Sequence, residues 1–472
     1  METNNIPMSV DTALVGGTLV TAQSTFKADI GISDGKIAVI GDTIPEADEV
    51  IDVTDRYVFP GLVDPHTHID GYYSQDTYET GTAAAALGGV TTCINFAWQA
   101  WAKTGPDSLS IWEEDGTLLE AVSRQKEKGQ DSLIDFGLHG GLTREDPEVF
   151  DELDAVMAEG VTSFKMFTAY EQGVSNGFIN LAFQELADRD AIAVVHTEDQ
   201  SVIDRLTEQL KTEGKSESKW YPASHPPYTE SMAADDALRM ARNAGVKYYG
   251  FHTSCRETAD VIKNYQEDGT QVRAETCTHY TALTDAVYED GTLPIITPPL
   301  RADDDRDGMF DHLGHGALSV VSTDHVAFGR EEKDVDRWWE SAFGANSLQH
   351  SLPVFHDVAI NERDLSYPFL VRVMSTNPAR TFGFTEKGTL DIGTDADLVV
   401  FDPNKEYTIT ATDNASRADF SIYEGRTVTG AVDKTFVRGT LVADAGEIVT
   451  ELGHGEFINR EPVEWKPLPL EE

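Results

Sequence analysis

The chain is short of cations and of cysteine. Against 82 Asp plus Glu it carries only 36 Lys plus Arg, a formal net charge of −46 over 472 residues. A field of that sign repels phosphate backbones and anionic headgroups, which argues against nucleic-acid binding and membrane-surface docking. The three cysteines, Cys93, Cys255 and Cys277, are odd in number and far apart. Neither a disulfide framework nor a CxxC metal site is written here, and a reducing, cytoplasmic setting is expected. Met1-Glu2-Thr3-Asn4-Asn5 lacks the basic and apolar regions of a signal peptide. One uncharged stretch, Gly81 to Ala102, is long enough to span a bilayer. Its Gly88-Gly89, Thr91-Thr92 and Asn95 read instead as a short Ala-rich helix, a tight turn and a buried strand.

What is present is ample apolar material. At 40% hydrophobic and 9% aromatic residues the chain can build a large core, so its acidity belongs to the surface and is not a signature of disorder. Self-repulsion at this density destabilises a compact state in dilute buffer, whereas a Debye length of roughly 3 Å in about 1 M salt screens it. The composition reads as that of a halophile.

After residue 60, short apolar runs alternate with amphipathic charged stretches, the pattern of repeated βα units. Strands are expected near 58–64, 90–96, 133–138, 161–167, 191–196, 246–252, 270–275 and 318–323, with helical patterns such as Leu118 to Lys128, Phe183 to Asp188 and Ala233 to Asn243 between them. Eight strands predict a (β/α)8 TIM-like barrel, whose usual length is about 250 residues before insertions. The flanks differ. Thr18-Leu19-Val20-Thr21, Lys36 to Ile40 and Glu49 to Asp52 near the start, and Asp397 to Phe401 and Lys434 to Gly439 near the end, are alternating strands broken by Gly and Asp turns. The α/β chain is therefore expected to divide into 1–57 and 381–450, pairing as one small β-sandwich, a barrel over 58–380, and a tail over 451–472 whose acidic end, Pro462 to Glu472, is expected to be loose or partner-draped.

Reactive side chains of such a barrel sit at the C-terminal ends of its strands. Those ends read Asp64-Pro65-His66-Thr67-His68, Lys165, His196, His252 and Asp324-His325. His66-x-His68 on extended backbone sets two imidazoles on one face, and two further histidines with Asp324 complete an N/O shell suited to zinc or a similar divalent ion. Lys165 lies in Ser163-Phe164-Lys165-Met166-Phe167, a buried-looking strand. Burial favours its neutral amine, which can add carbon dioxide to become an anionic oxygen ligand.

With these residues placed, the chain resembles the dihydropyrimidinase and hydantoinase branch of the amidohydrolase superfamily from Gly16 to about Gly439. The likeness is carried by Pro60 to His68, Phe164 to Tyr170, Thr297-Pro298-Pro299-Leu300-Arg301, Ser322-Thr323-Asp324-His325, Asn377-Pro378-Ala379-Arg380, and Lys387-Gly388-Thr389-Leu390 with Gly393 to Val399. It implies hydrolysis of a cyclic amide, a 5,6-dihydropyrimidine or 5-substituted hydantoin, to an N-carbamoyl amino acid. It also implies two divalent ions held by His66 and His68 on one side and His196 and His252 on the other, bridged by Lys165 as N6-carboxylysine, with Asp324 completing the shell and moving the proton. Tyr170 would hold the substrate carbonyl, and Thr297 and Asn346 would contact the cyclic imide. A homotetramer is the family's usual assembly. Thr276-Cys277-Thr278-His279-Tyr280 resembles the allantoinase branch more closely, so allantoin is the alternative substrate, and a non-catalytic scaffold is the alternative of another class.

Phe167 and Tyr72-Tyr73 fall where pocket walls are expected. His139 reads as a hydrogen-bonded wall residue, and His312 and His315 as surface residues of a helix. Asp303-x-Asp305-x-Asp307-Gly308 copies the front of a calcium loop, but its twelfth position is Gly314, so helix-capping carboxylates are expected there. Asn414-Ala415-Ser416 is a glycosylation sequon without meaning in an unsecreted chain.

Overall fold

A computed structural model describes residues 9–71, 74–99 and 116–468. All eight expected barrel strands form: β1 Leu62–Asp64, β2 Val90–Trp98, β3 Asp135–Gly141, β4 Ser163–Phe167, β5 Ile192–His196, β6 Lys247–Gly250, β7 Val272–Cys277 and β8 Val320–Ser322. They pair in chain order, each parallel to the next. Both faces of these strands are covered, so they are apolar without alternation; all nine residues of β2 are buried. The ring closes between β8 and β1 through Thr323, whose hydroxyl donates to Asp64 at 2.6 Å, and through His325–Val326 pairing with Thr67–His68.

The run expected at 58–64 divides in two. Tyr57–Pro60 pairs with Leu398–Phe401 in a different sheet, and only Leu62–Asp64 joins the barrel. The chain crosses between them at Gly61, where a Cβ would lie 2.0 Å from the Thr91 hydroxyl. The uncharged stretch folds as a helix, Tyr78–Leu87, then a turn with φ +83° at Gly89, then β2; its last residues lie outside the described ones. Among the described residues no helix is long and apolar enough to cross a membrane. The helix at Leu118–Lys128 starts at Thr117, whose hydroxyl accepts from Glu120 N while the Glu120 carboxylate accepts from Thr117 N.

Beside the barrel lies the β-rich part. Four strands of the first fifty residues form one sheet, and a seven-stranded sheet combines Thr18–Val20, Thr25–Lys27 and Tyr57–Pro60 with Leu398–Thr408, Thr427–Val437, Thr440–Asp444 and Glu447–Ile448. Leu14, Leu19, Ile30, Ile37, Val58, Leu398, Val400 and Phe436 fill the space between. This part is latched to the barrel by charge. The buried Lys387 ammonium meets Asp395 at 2.8 Å, Asp397 at 2.9 Å and Asp135 of β3, whose other oxygen takes Arg438.

Two expectations need correction. His312 is buried and paired with Asp260 at 3.1 Å, because its helix packs that face inward; His315 is exposed. The tail is not loose where it is described: Phe136 N donates to Glu456 O at 2.9 Å and Ile458 N to Phe136 O at 2.8 Å, Lys247 reaches Val463 O at 2.6 Å, and the Trp465 indole donates to Thr381 O at 3.0 Å. The segment straps the N-terminal end of the barrel, since its partners open strands β3 and β6.

Candidate metal centre and active site

At the opposite end, His66, His68, Lys165, His196, His252 and Asp324 converge on the floor of one cavity of about 700 Å³. Asp324 Oδ1 lies 3.0 Å from His66 Nε2 and 3.3 Å from His68 Nε2. His196 Nδ1 lies 2.8 Å from His252 Nε2. Two ring nitrogens at that distance share a hydrogen bond here, and both could turn to a single cation placed between them.

The outer partners fix which nitrogen is free to bind. Glu275 Oε1 accepts from His66 Nδ1 at 2.6 Å, which leaves Nε2 toward Asp324; Glu198 Oε2 accepts from His196 Nε2 at 3.1 Å, which leaves Nδ1 toward His252. This is the carboxylate–histidine arrangement that orients metal ligands. Burial holds His68 down at about 4, and lowers His196 and His252 as well, so these imidazoles are neutral donors. At His66 burial also acts downward, but Asp324 and Glu275 overcome it and hold the ring up at about 9; the site is built to house positive charge. Two nitrogen pairs, a carboxylate and a lysine fit two divalent ions of the zinc type.

Lys165 is 1% exposed, with its Nζ 4.0 Å above the Phe251 ring and 4.5 Å above that of Phe167. Burial brings its pKa to about 7 despite the pull of Asp324 and Glu275. The neutral amine that carbamate formation requires is therefore within reach at ordinary pH.

Three cavity residues, Tyr170, His252 and Asp324, have left-handed backbone with φ of +69°, +36° and +45°. Such conformations cost about 1–3 kcal/mol each outside glycine and gather at functional sites. The Tyr170 hydroxyl donates to Glu198 Oε2 at 2.6 Å and also meets the Thr297 hydroxyl, itself 2.9 Å from Glu198. Burial and the Glu198 charge raise the Tyr170 phenol well above its usual range, so it stays a proton donor.

The cavity also takes in Thr297 and Phe167, as expected, with Val326, Phe328, Trp339 and Phe343 on its walls. Asn346 is not among its residues. That side chain is buried, its amide nitrogen donates to Phe420 O, and its Oδ1 has no partner among the described residues. Tyr72 and Tyr73 lie outside the described residues. His139 is a fully hydrogen-bonded residue beneath the site.

The amidohydrolase family model matches residues 57–442. This chain belongs to the amidohydrolase family. Among its relatives are a D-hydantoinase of Ralstonia pickettii, 32% identical over 465 residues, which are 96% of this chain and 99% of that one, and an allantoinase of Salmonella choleraesuis, 33% identical with the same coverage. The crystal structure of a dihydropyrimidinase from Brevibacillus agri superposes with a TM-score of 0.90 at 29% identity, covering 96% of this chain and all of that one. Two carboxylates that hydrogen-bond the cavity histidines, Glu198 and Glu275, were missed in the sequence. Both carried a signal: Glu198 stands two residues past His196, and Glu275 interrupts the apolar strand β7 as Lys165 interrupts β4.

Proposed function

We propose that the protein opens a neutral cyclic amide, a 5,6-dihydropyrimidine or a 5-substituted hydantoin, to an N-carbamoyl amino acid. The observation that carries this reading is the set of six donor residues beneath a largely apolar cavity, with a protonated phenol beside it. Two divalent ions bound there, zinc or similar, would supply Lewis acidity toward the carbonyl and acidify water. Within this chain, His66 and His68 would hold one ion and His196 and His252 the other, and Lys165, as its carbamate, would supply an anionic oxygen donor to them. Asp324, held well below the usual carboxylate range by the neighbouring histidines despite its burial, is an ionised base at neutral pH. It takes the proton of the attacking water and returns it to the ring nitrogen as the C–N bond breaks. Tyr170 turns its hydroxyl from Glu198 to the carbonyl oxygen as charge builds there. Thr297 bounds the ring on that side.

The walls bear on the substrate from two sides: Phe167, Val326, Phe328 and Phe343 suit an apolar ring substituent, and Gln172, Gln200 and Ser341 offer hydrogen-bond partners of the kind the ureido group of allantoin needs. The allantoinase reading draws support from the Salmonella relative and from Thr276 to Tyr280. The complete donor set argues against a non-catalytic scaffold. We further read the acid excess as adaptation to concentrated salt in a cytoplasm, and the assembly as a homotetramer.

Metal analysis and a substrate panel test the reading together. The purified protein is expected to carry two metals per chain and to prefer dihydrouracil or 5-alkyl and 5-aryl hydantoins over allantoin. Lys165→Ala should lose bound metal, with part of the activity returning when a short carboxylic acid occupies the bridge. A Lys165→Ala protein that keeps two metals would remove the carbamate, and preference for allantoin would replace the substrate.

A further inference from the structure

We propose that Arg460, carried by the C-terminal strap to the N-terminal end of the barrel, is a positioning residue for the metal centre at the other end: through Ser163 and His139 it fixes the backbone at Pro65 and so the aim of His66. The proposal rests on the reading of His66 as a metal ligand.

Arg460 is 2% exposed, and no carboxylate among the described residues pairs with it. A buried guanidinium without a counter-ion is costly, and here burial alone depresses it to about 9. Its Nε has no partner among the described residues. Room for it is made at Gly137, where a Cβ would stand 3.2 Å from that Nε. Among the described residues, two hydrogen-bond acceptors repay the placement, together with the Phe384 ring 5.5 Å from the guanidinium carbon. One guanidinium nitrogen donates to Leu138 O inside β3, and the other lies 3.2 Å from Ser163 Oγ at the start of β4.

From Ser163 a directed chain runs up through the barrel. His139 Nδ1 is 2.7 Å from Ser163 Oγ, and His139 Nε2 is 2.9 Å from Pro65 O. Both ends of this chain have fixed polarity, because a guanidinium can only donate and a carbonyl can only accept. The Pro65 carbonyl therefore sets the His139 proton on Nε2, His139 Nδ1 accepts the Ser163 hydroxyl proton, and Arg460 donates to a lone pair of the Ser163 oxygen and so holds that hydroxyl in place. Without Arg460, the Ser163 hydroxyl loses the donor that anchors it, and with it the fixed partner that holds His139 Nδ1 and keeps the ring aimed at Pro65 O. The ring cannot swing away, since it lies in a cage of Phe96, Phe251 and Phe382. Pro65 directly precedes His66, so an error there is passed to the imidazole that must meet both Glu275 and the metal. The strap and the active site, at opposite ends of the barrel, are in this way joined by three side chains.

Chelator-driven metal release, measured well below the melting temperature in molar KCl, tests the proposal alongside steady-state kinetics. Ser163→Ala severs the chain and leaves the strap docked; Arg460→Met removes its origin. Both are expected to release metal about 10-fold faster or more, the lower end of what outer-shell partners of metal ligands are worth, with kcat falling and KM changing by less than about threefold. Trp465→Ala loosens the same strap at its Thr381 contact without touching the chain. It should lower the melting temperature and leave metal release and kcat at the parent values. Release at the parent rate in Ser163→Ala overturns the proposal, and so does equally fast release in Trp465→Ala, which would make the strap a purely structural brace. If Arg460→Met does not fold, Ser163→Ala decides alone. A parent protein that binds no metal overturns the underlying reading of His66, a failure distinct from that of the relay.

Discussion

Asp324 holds two roles in one carboxylate, ligand to the metal shell and carrier of the proton, and substitution separates them. Asp324→Asn keeps the size and one oxygen donor while removing the basic lone pair, so the metals held by four histidines and Lys165 are expected to stay. The rate is not: proton transfer by a positioned group is worth about 10² to 10⁴-fold, so kcat should fall at least about 100-fold with KM little changed. Tyr170→Phe should cost about 10² to 10³-fold with metal content intact, the usual loss when one oxyanion donor is removed. Measuring kcat and bound metal for both variants checks the pair, and an Asp324→Asn enzyme within about tenfold of the parent would assign the proton to another residue. The donor set was legible because each member is a polar side chain within or just past an apolar strand, a placement with a high desolvation cost unless something is bound. Asn346 lies off the cavity lining for a reason the local sequence does not carry. Its residue type suited an imide, but the Phe420 carbonyl that occupies its amide comes from more than seventy residues away, and no local pattern reports such a contact.

Strands were readable where burial on both faces leaves a continuous apolar run, as in β2 and β5, and less so where a run serves two sheets, as at Tyr57–Pro60 and Leu62–Asp64. Long-range polar anchors escaped altogether. Asp76, in Ser74-Gln75-Asp76-Thr77, looks like an ordinary surface carboxylate before a helix, yet it is 1% exposed and gathers three parts of the chain. It accepts from Thr80 at 2.8 Å, from His325 Nε2 at 2.8 Å, and from the Ser416 hydroxyl and Arg417 N at 2.7 Å each. Burial acts to raise its pKa, but these donors, His325 foremost, hold it below the ordinary 3.8. A carboxyl depressed on folding contributes stability that is present above its unfolded pKa and lost as pH falls through the folded value. Asp76→Asn is therefore expected to destabilise the protein at pH 7 by about 1–3 kcal/mol. That deficit should shrink as the pH is lowered below 3.8, where the parent's own carboxyl takes up a proton. Urea unfolding of parent and variant at fixed molar KCl across this range tests it; a deficit that is the same at pH 3 and pH 7 would show that the carboxylate charge contributes nothing at Asp76.

The 46 net negative charges are spread over 18265 Å² of surface, and local pairing answers few of them. Asp303, Asp304 and Asp305 stand together in one helical turn, and the edge strand Glu46–Asp52 shows Glu46, Glu49 and Asp52 to solvent. Folding brings such charges closer than they are in the open chain, so repulsion opposes the compact state by an amount set by ionic strength. The Debye length falls from about 10 Å at 0.1 M to about 3 Å at 1 M, which silences all but nearest neighbours. The latch at Lys387 and the donor cluster beneath the cavity are buried and much less screened, so salt should remove the repulsion and leave the organising contacts in place. Melting temperature and activity are expected to rise together between dilute buffer and molar KCl or NaCl. Concentrated sucrose, which favours burial without screening charge, should raise the melting temperature less than KCl does. Replacing Glu46, Glu49 and Asp304 by lysine should move the transition toward lower salt, because each exchange removes two units of repulsion. A protein already at its full melting temperature in dilute buffer, or one that sucrose stabilises as well as KCl, would show that the acidic surface has no part in its stability.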